Sequence, residues 1–251
     1  MAPRPQSPIP MRVRIARRML LMLLFVVPTS GYAQQFRLRI IDSPLHRFTP
    51  TEAALIDSVA RATLAEVRAL LPELPDRVEL EVEASRDVLA FSGEGGVAST
   101  PTTVRYSVDP TRAGGVAPIV RAHLRATLFH ELHHLARGWT VEGGKPRTSF
   151  MDAVVAEGMA TAFAREYAGF DAPWGARPPN PDAWVAELRA LSPEAWGAYQ
   201  EWMILHPDGR ERIGYRAGTY LVDRAIARSG RALRSLTLAP TDEIIRLAYP
   251  N

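Results

Sequence analysis

Two histidines and a glutamate, spaced for one face of a helix, constrain this chain more than any other feature of its sequence. The segment reads His130-Glu131-Leu132-His133-His134 and lies within a stretch of helical pattern. At about 100° per residue, His130 and His134 lie only about 40° apart and one turn along the helix. Both imidazoles can therefore reach one metal ion if the segment folds as a helix.

Neutral imidazole suits zinc, and a zinc ion on this helix would lie beside Glu131. Because zinc lowers the pKa of bound water, that carboxylate can take a proton from the water and later return it. A catalytic zinc site needs a third protein ligand. Glu157, in Val155-Ala-Glu-Gly-Met-Ala160 on the next predicted helix, is the candidate. Its neighbours are mostly apolar, where an unpaired charge would be costly.

The two motifs together resemble a known group of proteins. His-Glu-Leu-His-His followed by Ala-Glu-Gly-Met-Ala is similar to the HExHH…EG pattern of bacterial families of zinc-dependent proteases in the gluzincin clan, over residues 100–230. The resemblance implies a zincin-like fold and zinc ligands at His130, His134 and Glu157. It also implies that Glu131 is the catalytic carboxylate.

Two positions depart from related patterns. Thermolysin carries an aspartate four residues after its glutamate ligand, where it orients a ligand histidine. This chain has Thr161 there, which can form a hydrogen bond but cannot raise the basicity of a ligand in the same way. Metzincins would have a glycine and a histidine where this chain has Arg137 and Thr140, so that pattern is excluded.

A peptidase also needs a hydrogen-bond donor for the oxyanion that forms during hydrolysis. Tyr215 is the candidate, because the gluzincins that this chain resembles use a tyrosine or histidine from a downstream helix. A core aromatic position is the alternative for Tyr215. Gly214 and Gly218 would let this helix approach a neighbour closely, and the strand Thr103–Val108 is expected to be the sheet edge that pairs with a peptide. The weaker candidates for the donor are Arg216, Tyr220 and His206.

Two further histidines lie near the motif. His133 falls about 60° from His130, on the flank away from His134. It is a conceivable substitute ligand. Three other roles are favoured: a side chain that supports the ligands from behind, faces the substrate, or is exposed to solvent. His123 shares the face of His130 but lies about 10 Å earlier along the axis, which is too far to bind the same ion. Ordinary packing is expected for His123.

The order of patterns predicts an α+β fold with a small N-terminal sheet and a mostly helical second half. Alternation indicates strands at 36–41, 78–83 and 103–108, and the glycine-rich stretch 92–97 is predicted as a loop. Helical spacing indicates helices at 51–71, 118–136 and 149–168, and near 183–190, 193–205, 212–228 and 241–248. Residues 34–251 are expected to form a single domain, with two lobes as the alternative.

The first 33 residues have the pattern of a secretory signal peptide. A basic stretch at 12–18 precedes an apolar run at 19–27 that is too short to span a bilayer, and Ala33 ends a small-residue cleavage site. Met11 is a candidate for the true start. Without the five arginines of this leader, the formal net charge of +3 falls to about −2. We expect a bacterial periplasmic or secreted protein without stable membrane insertion after cleavage, and an uncleaved anchor is the alternative.

These features favour an exported zinc metallopeptidase that acts on peptides or proteins. A zinc hydrolase of another amide or ester would use the same site. The alternative from another class is a non-catalytic periplasmic helical module with a structural or vestigial metal site. Structural zinc sites commonly include cysteine, and this chain has none, so catalysis is favoured. The near-neutral charge after the leader disfavours a nucleic-acid partner, and the oligomeric state stays open.

Overall fold

A small mixed β-sheet forms the first part of the fold. The computed structural model describes residues 35–192 and 195–250. The strands are β1 (Gln35–Ile41), β2 (Arg77–Ala84), β3 (Glu94–Thr100) and β4 (Thr103–Val108). Their order in the sheet is β1-β2-β4-β3; β1, β2 and β4 run parallel, and β3 pairs antiparallel with β4.

The edge of this sheet differs from the prediction in two ways. The stretch 92–97, predicted as a loop, is mostly part of β3, because its backbone pairs with β4 despite the two glycines at 95 and 96. Thr103–Val108 was expected at the edge, but it lies between β2 and β3. Its residues Val104, Tyr106 and Val108 are fully buried, as suits an interior strand. The edge strand on this side of the sheet is therefore β3, and β1 forms the opposite edge.

The other regular elements of the described chain are helices and short helical turns, so the predicted α+β class is confirmed. One long helix joins β1 to β2, and the others follow β4. They are α1 (Pro50–Leu70), α2 (Val116–Ile119), α3 (Arg125–Arg137), α4 (Phe150–Ala168), α5 (Pro181–Arg189), α6 (Tyr199–Met203), α7 (Ile213–Ser229) and α8 (Thr241–Ala248). Short 3₁₀ turns occur at Pro173–Gly175, Ala195–Ala198 and Leu233–Leu236.

The helix that carries the histidine motif is longer and less regular than predicted. It begins at Val116, passes through a π-helical turn at Val120–Leu124, and continues as α3 to Arg137. Gly138 follows in the left-handed region, with φ of 77°, and ends the helix one residue beyond the predicted end at 136. Such π-helical turns are rare and occur frequently near functional sites.

The central helix α4 is buried along most of its length. Asp152 fixes its first turn by accepting hydrogen bonds from the backbone N–H groups of Thr148 (2.7 Å) and Ser149 (2.9 Å). The predicted bounds of this helix are confirmed. A helix that is apolar on all sides lies in the interior. Glu157 is therefore a carboxylate carried into the core by an apolar helix.

α7 crosses α4 at a contact made by glycines. A Cβ on Gly158 would overlap the backbone of Gly218, and a Cβ on Gly218 would overlap the carbonyl oxygen of Val154. The two backbones are therefore in direct contact. The close approach predicted for Gly218 is confirmed, whereas Gly214 faces the sulfur of Met203 in α6 instead.

One hydrophobic core joins the sheet to the helices. It runs from Ile56 of α1, through Val82 of β2 and Phe129 of α3, to Phe163 of α4 and Ile244 of α8. The motif helix is thus held between the sheet and α4, which fixes the orientation of its side chains.

The predicted leader at residues 1–33, including the candidate start Met11, lies outside the described residues. Within the described ranges, no helix combines the length and the apolar character that crossing a membrane requires.

Candidate metal centre

The three residues predicted as metal ligands meet between α3 and α4. The Nε2 atoms of His130 and His134 lie 3.1 Å apart, and Oε2 of Glu157 lies 3.2 Å and 3.3 Å from them. His134 and Glu157 are buried, and His130 is half-buried. The fold therefore gathers two imidazole nitrogens and one carboxylate oxygen into a compact set.

The spacing of these three atoms fits a tetrahedral zinc ion. Zinc binds imidazole nitrogen and carboxylate oxygen at about 2.0–2.2 Å, so neighbouring ligand atoms of a tetrahedral site lie about 3.3–3.5 Å apart. The observed separations of 3.1 to 3.3 Å are close to that range. Three protein ligands would leave the fourth position for water or substrate, which is typical of catalytic zinc sites.

Glu157 has the charge that a metal ligand needs. Burial raises the pKa of this carboxyl, but the adjacent His134 and His130 outweigh burial and hold the pKa well below its ordinary value. The carboxylate is therefore ionised, and the ionised form is the one that binds metal.

Among the described residues, no carboxylate is hydrogen-bonded behind the candidate ligand His134. Nδ1 of His134 is buried and has no hydrogen-bond partner in that part of the chain. The hydroxyl of Thr161, at the position where thermolysin has its aspartate, is also buried and unpartnered there. Thr161 therefore does not replace the missing carboxylate.

Glu131 lies between the cluster and β3. Its Oε2 accepts a hydrogen bond of 2.8 Å from the backbone N–H of Ala98, which fixes the carboxylate. Burial raises the pKa of Glu131 to about 7, against the opposite effects of His130 and the Ala98 N–H. A carboxyl with a pKa near 7 can exchange protons at neutral pH.

Outward backbone groups of β3 on both sides of Gly96 are already engaged. The carbonyl of Glu94 accepts from the N–H of Leu89 (3.0 Å), the N–H of Ala98 donates to Glu131, and the carbonyl of Ala98 accepts from the N–H of Val141 (3.0 Å). Since outward and inward residues alternate in an antiparallel pair, Gly96 also faces outward. Its N–H and C=O lie between these engaged groups.

Gly96 also allows the strand to approach the motif helix. A Cβ at this position would lie 2.5 Å from Cγ2 of Thr127 and 2.9 Å from Cγ of Glu131. Because these distances are shorter than ordinary carbon contacts, any side chain here would push β3 away from α3. The glycine thus keeps the sheet edge beside Glu131.

Two cavities meet at the cluster. Their volumes are about 440 Å³ and 680 Å³, and both are lined by Gly96, His130, Glu131 and Tyr215. The smaller cavity extends towards the π-helical turn, and the larger one towards α6. Together they form a cleft along the open edge of the sheet, with the candidate ligands at its centre.

Tyr215, the candidate oxyanion donor, lies in the first turn of α7 and lines both cavities. Its side chain lies beside that of Tyr199 in the wall of the larger cavity. Burial, followed by the charge of Glu157, raises the pKa of Tyr215 well above its ordinary value. The hydroxyl therefore stays protonated at neutral pH and can donate a hydrogen bond.

The three weaker candidates for the donor lie outside the walls of both cavities. Their polar atoms are engaged elsewhere, which accounts for their orientation. The pairs are Arg216 with the carbonyl of Ala176 (3.0 Å), Tyr220 with Asp182 (2.9 Å), and His206 with Asp208 (2.8 Å).

The two neighbouring histidines occupy unexpected positions. His133 is fully buried against the ring of Phe163, with 5.2 Å between the centroids, and burial lowers its pKa well below the ordinary value. It is outside the cluster and faces neither solvent nor a cavity. His123, expected in ordinary packing, lies in the π-helical turn and lines the smaller cavity.

Two polar residues of the cleft were not predicted from the sequence. Tyr199 lines the larger cavity, and Glu94 lines the smaller one with its side chain almost fully buried. No other site residue stands at a characteristic sequence spacing from Tyr199, so no motif marks it. Glu94 lies in the glycine-rich stretch that was predicted as a loop, where a carboxylate is usually exposed.

Comparison with known proteins identifies one family. A family model described as "Predicted Zn-dependent protease (DUF2268)" matches residues 84–246, which is well over half of the chain. The matched range contains the three residues of the cluster, Glu131 and Tyr215. No curated protein and no solved structure matches the chain.

Proposed function

Because this chain belongs to the family of predicted Zn-dependent proteases, we propose that it is a zinc metallopeptidase that hydrolyses peptide bonds. One observation carries the proposal: the ligand atoms of His130, His134 and Glu157 form a triangle of 3.1 to 3.3 Å beside the buried carboxylate of Glu131. The proposed glutamate ligand lies on a second helix, as in gluzincins, and we propose that the chain is of that type.

The roles of the chain's own residues follow from their atoms. Zinc held by the three ligands would polarise the substrate carbonyl and lower the pKa of water. Glu131 is the general base, and its Oε1 takes the proton because Oε2 is occupied by the Ala98 N–H. The same carboxyl then gives the proton to the leaving amine. Tyr215 donates its hydroxyl hydrogen to the developing oxyanion.

The substrate backbone is expected to lie along β3. The N–H and C=O of Gly96 face the cleft, so an extended peptide can pair with them and pass the cluster. Side chains on either side of the scissile bond would then enter the two cavities. In this arrangement the peptide carbonyl would lie between the proposed metal ligands and Tyr215.

We also propose that the protein is exported to the bacterial periplasm or secreted. The arginine-rich start, the apolar run and the small residues that end at Ala33 support this location.

The test of the activity compares zinc content and peptide hydrolysis in the wild-type protein, Glu157→Ala and Glu131→Gln. Wild type should hold about one zinc ion per chain, and Glu157→Ala far less, because it loses a ligand. Glu131→Gln should keep the zinc but lose turnover by about 10²-fold or more, because the amide cannot accept the proton.

Glu166→Gln is the matched control, since Glu166 is an exposed residue on the same helix as Glu157. It should keep both zinc and turnover. Wild-type protein without zinc after incubation with excess metal would overturn the proposal, as would undiminished turnover by Glu131→Gln.

A further inference from the structure

Four aromatic rings form a closed circuit at the far end of the smaller cavity. Neighbouring ring centroids lie 5.7 Å apart for Phe91 and Trp174, and 6.2 Å apart for Trp174 and Phe170. The circuit closes through His123, whose centroid is 6.3 Å from those of Phe170 and Phe91. Adjacent ring planes are inclined by 58° to 81°, so the rings are not stacked. Trp174, Phe170 and His123 line the cavity, and Phe91 packs against two of them from outside its wall. Aromatic faces attract cations.

A buried carboxylate lies in the wall of the same cavity. Glu94 is 3% exposed, and its Oε2 accepts a hydrogen bond of 2.7 Å from the hydroxyl of Thr127. No lysine or arginine of the described residues forms an ion pair with it. Burial raises the pKa of Glu94, against the hydrogen bonds from Thr127 and Ser92. A cation in the cavity would favour the ionised carboxylate.

Further polar atoms in this wall lack partners within the described chain. The hydroxyl of Thr161, Nδ1 of His123 and the indole N–H of Trp174 are buried and unpartnered there. The hydroxyl and the imidazole nitrogen can accept a hydrogen bond from an ammonium or guanidinium group, whereas the indole N–H is a donor and needs an acceptor. An apolar occupant would leave all three unpaired.

The length of the cavity indicates the kind of side chain that fits. His130, at the metal end, and His123, in the aromatic circuit, are seven residues apart on one helix, which corresponds to about 10 Å. The other charges that line the cavity are Asp87, exposed at the rim, Glu131, and Arg212. Arg212 lies over the ring of Tyr215, at the metal end, so carboxylates predominate towards the aromatic circuit.

We propose that the smaller cavity binds a lysine or arginine side chain of the substrate residue that borders the scissile bond. The positive group would lie beside the three rings that line the cavity, near Glu94, and the aliphatic stem would cross the space beside His130. This inference rests on the proposed peptidase activity, because it assigns the basic residue to that substrate.

Binding tests the inference without turnover. Two end-blocked alanine pentapeptides, with a central lysine or a central norleucine, are titrated by calorimetry into zinc-loaded Glu131→Gln. These peptides differ only in the ammonium group. We expect the lysine peptide to bind about tenfold more tightly. Equal affinities would overturn the inference.

Variants of the cavity identify the groups responsible. In the same background, Glu94→Gln should remove most of the preference for lysine, because the amide keeps the shape but not the charge. Phe91→Leu, at an exposed position of the circuit, should reduce it about two- to fivefold. Glu83→Gln is the control, since Glu83 also accepts a hydroxyl hydrogen bond, from Ser107, but lines neither cavity. An unchanged preference in Glu94→Gln would contradict the assignment.

Cleavage of a mixed peptide library by the wild-type enzyme separates this inference from the proposed function. Products cut beside lysine or arginine support both. Products cut without a basic residue at either side of the bond support the peptidase and overturn the cavity assignment. If no peptide is cut and no zinc is bound, the proposed function fails first.

Discussion

Two buried glutamates beside the same histidines have pKa values displaced in opposite directions. Glu157 contacts both imidazoles and is held ionised, whereas Glu131 contacts a backbone N–H, and burial raises its pKa to about 7. A ligand must stay ionised, and a base must exchange its proton. The difference in environment therefore matches the two roles that we propose.

Replacement of Tyr215 by phenylalanine removes one hydroxyl at the centre of the cleft. If this hydroxyl stabilises the oxyanion, Tyr215→Phe should lower kcat about 10²-fold with little change in KM, because the bond forms only in the transition state. Steady-state kinetics on a fluorogenic peptide measures both constants.

Tyr220→Phe is the matched control on the same helix, since the hydroxyl of Tyr220 bonds to Asp182 outside the cleft. It should keep the wild-type kcat. If Tyr215→Phe also kept it, the oxyanion donor would have to be another group, such as the neighbouring Tyr199.

Single site residues can be predicted from the sequence where their spacing or their neighbours form a recognisable pattern. His130 and His134 are a local pair on one helix, and Glu157 stands out as a charge among apolar residues, so all three could be predicted. Glu94 and Tyr199 reach the cleft only through tertiary packing. His133 illustrates the limit, because its local position gave no sign that Phe163 of α4 would cover it.

At the scale of elements, the contact between helices α4 and α7 leaves no room for a side chain at its two glycines. α4 carries Glu157 and α7 carries Tyr215, and the two backbones touch at Gly158 and Gly218. The position of the proposed donor relative to the ligands therefore depends on this contact.

Gly158→Ala should destabilise the protein by about 3 kcal/mol, because the added methyl overlaps backbone that cannot rotate away. Urea unfolding measures this loss. Turnover should also fall, since α7 must shift with Tyr215. Gly197→Ala is the control, because a Cβ there has no neighbour within 4 Å. Equal stability of the two variants would show that the helices can separate without loss.

Helix bounds were predictable where the end signals are local. Asp152 marks the start of α4, and Gly138 marks the end of α3. The strand β3 was not predictable, because its glycines have low strand propensity and the pairing with β4 supplies the stability. The π-helical turn at Val120–Leu124 also has no simple sequence signal.

For the whole molecule, a metal ion between α3 and α4 would join the two helices at the centre of the core. Removal of zinc by a chelator should therefore lower the Tm. The expected decrease is about 5–10 °C if the free zinc concentration was previously well above the Kd of the site. Differential scanning calorimetry with and without chelator measures the change, and added zinc should restore the Tm. Glu157→Ala should show no response to the chelator. The same Tm for wild type with and without metal would contradict a site in the core.

The proposed export gives a second prediction at this scale. Expression in a bacterium should yield periplasmic protein that begins at Gln34, because cleavage follows the small residue Ala33. Mass spectrometry of the intact protein determines the terminus. Ala33→Leu should retain the leader. A wild-type chain found in the membrane fraction with residues 1–33 intact would favour the uncleaved anchor.

The overall class followed from the order of strand and helix patterns, and the structure confirms it. The order of strands within the sheet did not follow, because parallel pairing of β1, β2 and β4 joins segments that are distant in sequence. The mistaken edge strand has another cause: β3, which pairs with β4, was predicted as a loop.

The hydrogen bonds on both sides of Gly96 affect how the β3 edge can pair with another molecule. A sheet edge with free N–H and C=O groups can pair with the edge of another molecule and begin aggregation. Here Leu89, Glu131 and Val141 occupy the positions on both sides of Gly96, so the unengaged stretch is about one residue long. So short a gap can pair with a single peptide segment, but it offers too little backbone for two copies to join along β3.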